Sequence, residues 1–388
     1  MGAPIEKFSG MRAVVMGLGR FGGGIGAARF LAGHGARVTV TDIKKREELA
    51  ESIAQLHGFD IRFVLGRHEM SDFTAAQVVV VNPAVPRESP YIAAARRSGA
   101  VLTTEIGLFA ERSPAPVSGV TGSNGKSTTV SMIQSILDHS NRRYWVGGNL
   151  GGSLLPDIGA MTANDIVVLE LSSFQLEWLR EIGWSPHIAA ILNIIPNHLD
   201  RHGTLKSYIS AKASILDKQK SSDIAVLVRD EPGSRSMLDR VRGRVVWAGC
   251  DLDLRGVSLE RGVIVERGWL KRTPIIDTRR LRVPGRQNAV DAMVAAACAL
   301  NMDIDIDAIR YGLADFHGLP HRLEHLGEKK GVAFYNDSKS TTPESAATAV
   351  EAFGSPVIPI LGGYDKGVDF DEMAGRMAGR VPWAALIG

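Results

Sequence analysis

The stretch Thr121-Gly122-Ser123-Asn124-Gly125-Lys126-Ser127-Thr128-Thr129 constrains the fold of this chain more than any other. It follows Pro116-Val117-Ser118-Gly119-Val120, which reads as the end of a buried strand. It runs into Val130-Ser131-Met132-Ile133-Gln134-Ser135-Ile136-Leu137, whose apolar positions recur at helical spacing. Strand, glycine loop, Gly-Lys-Ser and helix together make a cradle for nucleotide phosphates. Backbone N–H groups around Gly122, Asn124, Gly125 and Thr128 face the phosphates, and the helix N-terminus adds partial positive charge. Lys126 reaches the terminal phosphates and the Ser127 hydroxyl is placed to hold Mg²⁺. A glycine-rich turn that merely caps a helix would explain the glycines and Ser127. It would not explain Lys126, because a cation at a helix N-terminus opposes the dipole unless an anion sits beside it. In the standard loop, Val120 would be glycine; the nearest is Gly122, which makes this the shorter Thr-Gly-x-Asn-Gly-Lys-Ser variant.

Length and charge narrow the setting. A chain of 388 residues predicts roughly two to three domains. A formal net charge of +3 is too small to argue for nucleic acid or an anionic membrane, and mixed runs such as Lys44-Lys45-Arg46-Glu47-Glu48 read as solvated faces. Cys250 and Cys298 are the only cysteines, too few for a disulfide framework or a metal cluster, which favours a reducing, cytoplasmic setting. No apolar run approaches bilayer length, so no membrane insertion is expected.

Strand-like runs at 13–16, 38–41, 78–81, 166–171, 188–193 and 225–228 alternate with helical patterns at 25–33, 89–97 and 204–216. That alternation predicts an α/β chain with parallel sheets. Two phosphate-type loops, near residues 17 and 122, imply two separate sheets. Ser113-Pro114-Ala115-Pro116 is a plausible junction before the second sheet, and Gly318-Leu319-Pro320-His321 marks another break. Beyond it, 334–337, 357–362 and 383–387 read as strands of a third α/β unit, short for an independent domain. The expected domains are therefore 1–110, 111–318 and 319–388.

Gly17-Leu18-Gly19-Arg20-Phe21-Gly22 follows a strand and opens a helix, and Asp42 ends the next strand where a ribose-binding acid belongs. NAD, another nucleotide and a ligand-free turn all remain open from this pattern. Gly22-Gly23-Gly24-Ile25-Gly26 is richer in glycine than the fingerprint needs. Further along, Glu170 ends an apolar strand at the edge that faces the ligand crevice in open α/β sheets, where a carboxylate can take Mg²⁺. A strand-end acid capping the next helix is the plainer alternative. His198 follows another strand and would reach the same edge, as a metal ligand or as an ordinary satisfied histidine. By itself Lys212 reads as a solvated helix lysine.

Taken together, five blocks resemble the Mur ligase family, the ATP-dependent amide-forming enzymes of peptidoglycan precursor synthesis. They are 121–129; Glu170-Leu171-Ser172-Ser173-Phe174-Gln175-Leu176; 193–201 with Ala211-Lys212; Pro320-His321-Arg322-Leu323-Glu324 with Asn336-Asp337-Ser338-Lys339-Ser340-Thr341; and Leu361-Gly362-Gly363-Tyr364-Asp365-Lys366. The resemblance implies a Rossmann-like N-terminal domain, a central P-loop ATPase-like domain with a parallel sheet, and an incomplete Rossmann-like C-terminal domain. Within the family the blocks resemble the branch that adds D-glutamate to UDP-N-acetylmuramoyl-L-alanine. On that resemblance Gly17, Leu18, Gly19, Arg20, Asp42, Ile43 and Asn82 hold the UDP part of the substrate, and Asn149 the muramoyl part. The family has threonine where Ile43 stands. Lys212 corresponds to a lysine carbamylated in the family, which would join Glu170 and His198 at a second Mg²⁺ site. Asn288 lies where adenine is held; Arg322 and Asp337 would meet ATP phosphates and ribose; Lys339, Thr341 and Lys366 would meet phosphate or the incoming glutamate. Lys126, His198, Lys212, Arg322 and Lys339 are the expected catalytic set.

The chemistry so implied is phosphoryl transfer followed by acyl transfer, which needs cations and positioning more than a covalent nucleophile. An NAD-dependent oxidoreductase accounts for residues 12–42 but leaves Gly-Lys-Ser unexplained. A nucleotide switch accounts for the loop but not for Lys212, Arg322 or Lys366. A folylpolyglutamate-type ligase shares the loop variant but not the first domain, and another amino acid remains an alternative. Family members continue past the strand at 383–387, so weak activity, an inactive fragment retaining nucleotide binding, and a partly unstable third unit are expectations. The remaining expectations are a monomer that binds no nucleic acid.

Overall fold

A computed structural model describes residues 8–19, 22–251, 253, 255–268, 272–354, 356–363 and 369–387. The chain forms two compact units. One comprises Met1–Lys126, Asn141–Leu227 and Glu231–Val246; the other comprises Ser127–Ser140, Val228–Asp230 and Trp247–Gly388.

The first unit begins with β1 (Arg12–Met16), β2 (Arg37–Asp42), β3 (Ile61–Leu65), β4 (Val78–Val81) and β5 (Val101–Thr103). They form a parallel sheet in the order β3-β2-β1-β4-β5. All four valines of β4 are buried, as expected when helices cover both faces of a parallel sheet. The strand order reverses direction between β1 and β4. That is the place where the loops after two adjacent strands part and leave a crevice. Gly17 and Asn82, each directly after one of these strands, stand at its mouth.

The same unit carries β6 (Val117–Thr121), β7 (Tyr144–Gly148), β8 (Ile166–Glu170), β9 (Ile188–Ile191) and β10 (Ile224–Val228). Their order is β10-β9-β6-β8-β7, all parallel. β6, β8, β9 and β10 are buried along their whole length. Since β6 lies between β8 and β9, the loops starting at 122, 171 and 192 all leave the same carboxyl edge. This topology gathers the candidate residues.

The second unit holds the helix Lys126–Asp138 from Ser127 onward. It also holds most of β11 (Arg244–Cys250), then β12 (Gly256–Glu260), β13 (Val263–Arg267) and β14 (Thr273–Asp277), with the alanine-rich buried helix Arg286–Asn301. Here the expectation of parallel pairing needs correction. β12–β13 and β13–β14 are antiparallel, and so is the hairpin of β15 (Glu324–Lys329) with β16 (Val332–Asn336). For β12–β13 and β15–β16 the reason is turn length. Arg261-Gly262 and Lys330-Gly331 are two-residue links with positive φ at both positions (49° and 82°, 52° and 76°). Such links return a strand beside itself and leave no room for a crossover helix. Near the end, β17 (Ile360–Gly362) and β18 (Ala385–Ile387) pair in parallel, shorter than the sequence pattern suggests. The helices Pro343–Glu351 and Asp371–Met377 bury Ala347, Val350 and Met377 together.

Candidate functional site

The phosphate-type loop is clamped from beneath by the segment after β9. Ser123 N donates to Asn193 O (2.9 Å), Asn124 N donates to Asn193 Oδ1 (2.9 Å), and Asn193 Nδ2 returns a bond to Asn124 O (3.2 Å). The Ser123 hydroxyl donates to Ile195 O and accepts from Ile195 N, each at 2.8 Å, and lies 2.8 Å from the Tyr208 hydroxyl. Gly122 permits the approach, since a Cβ there would come within 2.9 Å of Leu192 Cβ. Gly125 takes φ 85°, a conformation favouring glycine. Lys126 folds over this frame, with Nζ donating to Gly122 O and Ser123 O, both at 2.9 Å.

Lys212 is not the solvated lysine its helix position suggests. It is buried, with 2% exposure, and its Nζ donates to Gly122 O at 2.8 Å while lying 4.7 Å from the Tyr208 ring centroid. Burial, and then the nearby Lys126 charge, hold its pKa well below the ordinary lysine value against the opposing pull of Glu170. The Lys212 amine is therefore disposed toward its neutral, nucleophilic form.

Glu170 ends β8 in a buried position, and it does not cap the following helix. Ser172 does that, in a capping box with Gln175. Glu170 instead takes Asn149: Nδ2 donates to Oε1 at 2.7 Å, and Asn149 N donates to Glu170 O at 2.8 Å. Gly148, at φ 92°, makes this possible because a side chain there would strike the Glu170 carbonyl. Asn149 and Glu170, far apart in sequence, thus form one polar pair at the edge.

His198 sits beyond the same edge in left-handed backbone (φ 53°), rare for a residue with a Cβ. Its ring packs against Phe174 with centroids 5.4 Å apart. Partial desolvation lowers its pKa, assisted by Lys126, Lys212 and His202 and opposed by Asp200, which favours the neutral imidazole a metal needs. The loop is fixed by residues that the sequence reading did not single out. The buried His202 side chain stacks on Phe174 and lies 2.9 Å from Ser173 Oγ and 3.4 Å from Glu177. Tyr208 joins this ring cluster to Ser123. An aromatic at helical spacing carries no sequence mark separating such a brace from ordinary core.

Among the described residues, no three His, Cys, Asp or Glu side chains converge as a ready-made metal cage. The donor set still fits a phosphate-bound divalent ion. One buried carboxylate at a strand end, with phosphate oxygens and water, is a common Mg²⁺ environment.

At the first sheet, Leu18 N donates to Asp42 Oδ2 and Lys44 N to Oδ1, both at 2.9 Å. Asp42 therefore braces the loop through both carboxylate oxygens. Gly17 and Gly19 take φ 85° and 68°, and Asn82 packs against Gly17 with Nδ2 3.4 Å from its carbonyl. Ile43 is 72% exposed beside this crevice. Arg20 lies outside the described residues.

In the second unit, Asn288 Nδ2 donates to Pro284 O at 2.5 Å. Asp337 accepts from Leu323 N at 2.9 Å and from the Ser340 hydroxyl, and Lys339 N donates to His321 O at 3.1 Å. These bonds fold 319–323 onto 336–340 and bring Arg322, Asp337 and Lys339 into one loop cluster. His321 and Leu323 accept left-handed φ values of 65° and 45° there. Thr341 is exposed just before the Pro343–Glu351 helix. Lys366 lies outside the described residues.

Comparison with known proteins decides the family. The Mur ligase middle domain matches residues 120–299, and the Mur ligase MurD-like N-terminal domain matches residues 11–104. The chain belongs to the Mur ligase family. It is similar to the UDP-N-acetylmuramoylalanine--D-glutamate ligase of Roseiflexus sp. (strain RS-1), 40% identical over 98% of this chain and 84% of that protein. The ligase of the same name from Geobacter metallireducens is 40% identical over 98% of this chain and 83% of that one. Among solved structures, UDP-N-acetylmuramate-alanine ligase MurC from Thermotoga maritima aligns with a TM-score of 0.60 at 22% identity, over 97% of this chain and 85% of that one. MurF ligase from Thermotoga maritima, in complex with ADP, aligns at 0.56 and 17% identity, over 98% and 87%. These two support the fold alone. Family membership makes the chain an ATP-dependent ligase of peptidoglycan precursor synthesis. Among the described residues no helix is long and apolar enough to cross a membrane.

Proposed function

We propose that this Mur ligase joins D-glutamate to UDP-N-acetylmuramoyl-L-alanine in the cytoplasm, as a monomer, using ATP and Mg²⁺. The observation that carries the reading is the meeting of Lys126 and buried Lys212 at Gly122 O, on the edge where Glu170 also ends. It is supported by near-full-length similarity to ligases named for that reaction.

In the proposed reaction the alanyl carboxylate oxygen attacks the γ-phosphorus of ATP and ADP leaves, giving an acyl phosphate. The amine of glutamate then attacks the acyl carbon, inorganic phosphate departs and the amine loses a proton. Lys126 and the loop amides steady the phosphate oxygens as charge spreads over them. Divalent ions supply further neutralisation of that charge when bound. Ser127, Glu170, His198 and Lys212, the last as its carbamate, are the proposed ligands. A neutral buried amine is the form able to take up carbon dioxide, and the product is an oxygen donor. Gly17, Leu18, Gly19, Arg20, Asp42, Ile43 and Asn82 are assigned to the UDP part, and Asn149 to the muramoyl part. Because both Asp42 oxygens brace the loop, its role there is to shape the pocket. Asn288, Arg322, Asp337 and Lys339 are assigned to ATP, and Thr341 and Lys366 to glutamate. The matching functional domains are 1–110, 111–318 and 319–388.

The test is phosphate release from ATP with UDP-N-acetylmuramoyl-L-alanine, comparing D-glutamate, L-glutamate and no amino acid. Release that requires D-glutamate supports the reading. Release with L-glutamate alone assigns another amino acid, and release without any amino acid removes the ligase assignment.

A further inference from the structure

The glycine-rich run at the start of the Gly23–Gly33 helix exceeds what a phosphate loop requires, and the packing around it accounts for the excess. Gly24 closes the loop itself, since a side chain there would strike the Leu18 carbonyl. Gly26 serves a different neighbour. A methyl group on it would collide with Ser153 Oγ and Cβ, on the loop that leaves Asn149. A Cβ on Gly23 would touch the Glu105 side chain at 3.8 Å. Glu105 and Ser153 are in turn bonded to each other: the Ser153 hydroxyl donates to Glu105 Oε1 at 2.5 Å and accepts from Leu155 N at 3.3 Å. Three segments therefore meet at one point: the helix that follows the 17–22 loop, the first turn of the helix Glu105–Ala110, and the 149–155 loop. Thr104 fixes the second by capping it, its side chain accepting from Gly107 N at 3.1 Å. At the far end of the third, Asn149 is pinned to Glu170.

We propose that Glu105 is a positioning residue: through Ser153 it holds the Asn149 loop in register with the glycine loop of the first sheet, so that the two ends of one long substrate are gripped at a fixed separation. This rests on the reading that the 17–22 loop takes the nucleotide part and Asn149 the sugar-acid part. The physical consequence is specific. Two subsites held at a fixed spacing act on a linked ligand with a high effective concentration, and that advantage is lost when the spacing is free to vary. Loss of the clasp should therefore weaken the whole substrate while leaving its nucleotide fragment untouched. Desolvation of the Glu105 carboxyl, opposed by its Ser153 bond, raises its pKa to about 7. The neutral acid is thus well populated near neutrality and can be replaced by an amide.

The experiment compares wild type, Glu105→Ala, Ser153→Ala and Glu105→Gln by calorimetric titration with UDP and with UDP-N-acetylmuramoyl-L-alanine. Both alanine variants should bind the full substrate about 10-fold more weakly, with UDP affinity unchanged. Glu105→Gln keeps an acceptor for the Ser153 hydroxyl and should restore most of the difference. Equal weakening of both ligands, or none, overturns the proposal. Hydrogen exchange across residues 149–155 in the ligand-free protein supplies an independent arm. Exchange should rise in both alanine variants, and no rise overturns the clasp whatever the substrate is. Wild type binding the full substrate no better than UDP, together with no phosphate release, marks failure of the functional reading instead. The exchange result then still decides the clasp.

Discussion

The side-chain nitrogens of Lys126 and Lys212 converge on a single acceptor, the carbonyl oxygen of Gly122, at 2.9 and 2.8 Å. Two ammonium groups so close would repel strongly in a site with little water. The conflict is resolved by Lys212, whose burial and proximity to Lys126 favour its neutral amine. Lys126 keeps the charge on which its proposed phosphate role depends, and the neutral Lys212 amine has a lone pair to use.

Replacing Lys126 with Met removes the cation proposed to meet the terminal phosphate. Phosphate release should fall by about 10²–10³-fold, the usual scale for one electrostatic contact to developing charge. Thermal stability should change far less, since the Nζ bonds to Gly122 O and Ser123 O are local to its own loop. Steady-state turnover beside a melting curve checks both statements.

Lys212→Met should separate stability from activity. A lysine whose folded pKa is depressed weakens the fold wherever the unfolded chain holds the proton, so its penalty shrinks as pH rises toward the ordinary lysine value. Urea unfolding should show wild type gaining on the Met variant between pH 7 and 9. The variant should meanwhile lose at least about 100-fold in phosphate release. With ¹³C-labelled bicarbonate, a carbamate resonance should be present in wild type and absent in the variant.

Glu105 gives the opposite slope with pH. Its folded pKa, about 7, lies above the ordinary 4.5, so the folded state holds a proton that the unfolded state has released between those values. Stability from this group is fully present below pH 4.5 and declines as pH rises to 7. The Ser153 bond opposes the desolvation, and the decline is about 1–3 kcal/mol. Glu105→Gln should flatten that part of the urea-unfolding profile.

Asn149→Ala removes a donor from buried Glu170. The cost should be about 1–3 kcal/mol, since a carboxylate loses a hydrogen bond that water replaces poorly. Chemical denaturation measures it, and the full-substrate affinity should fall alongside.

Gly26→Ala should destabilise by about 1–3 kcal/mol through the collision with Ser153, although alanine suits a helix interior better than glycine. A neutral or stabilising result would show that the 149–155 loop can retreat freely.

The alternation of β-branched strands with helical periods was enough to read the α/β class and both phosphate-type loops, since these follow from local spacing. Lys126 was legible for the same reason: a cation at a helix start conflicts with the dipole, and that conflict is written in adjacent residues. The antiparallel pairs β12–β13 and β15–β16 were missed because their two-residue links Arg261-Gly262 and Lys330-Gly331 are inconspicuous in sequence, yet each is too short for a crossover helix. Tyr208 and His202 were also invisible as site residues, because each acts by contact with segments elsewhere in the chain.

The sequence by itself determined the α/β alternation and which loops carry glycine, lysine and carboxylate, because those follow from residue type and short-range spacing. Only the tertiary structure decided what the residues became. Lys212 is chemically a helix lysine until the fold buries it against Gly122 O beside the Tyr208 ring, and Glu170 is a strand-end acid until Gly148 lets Asn149 reach it. Burial and charge proximity set ionisation, and both are properties of residues brought together from distant parts of the chain.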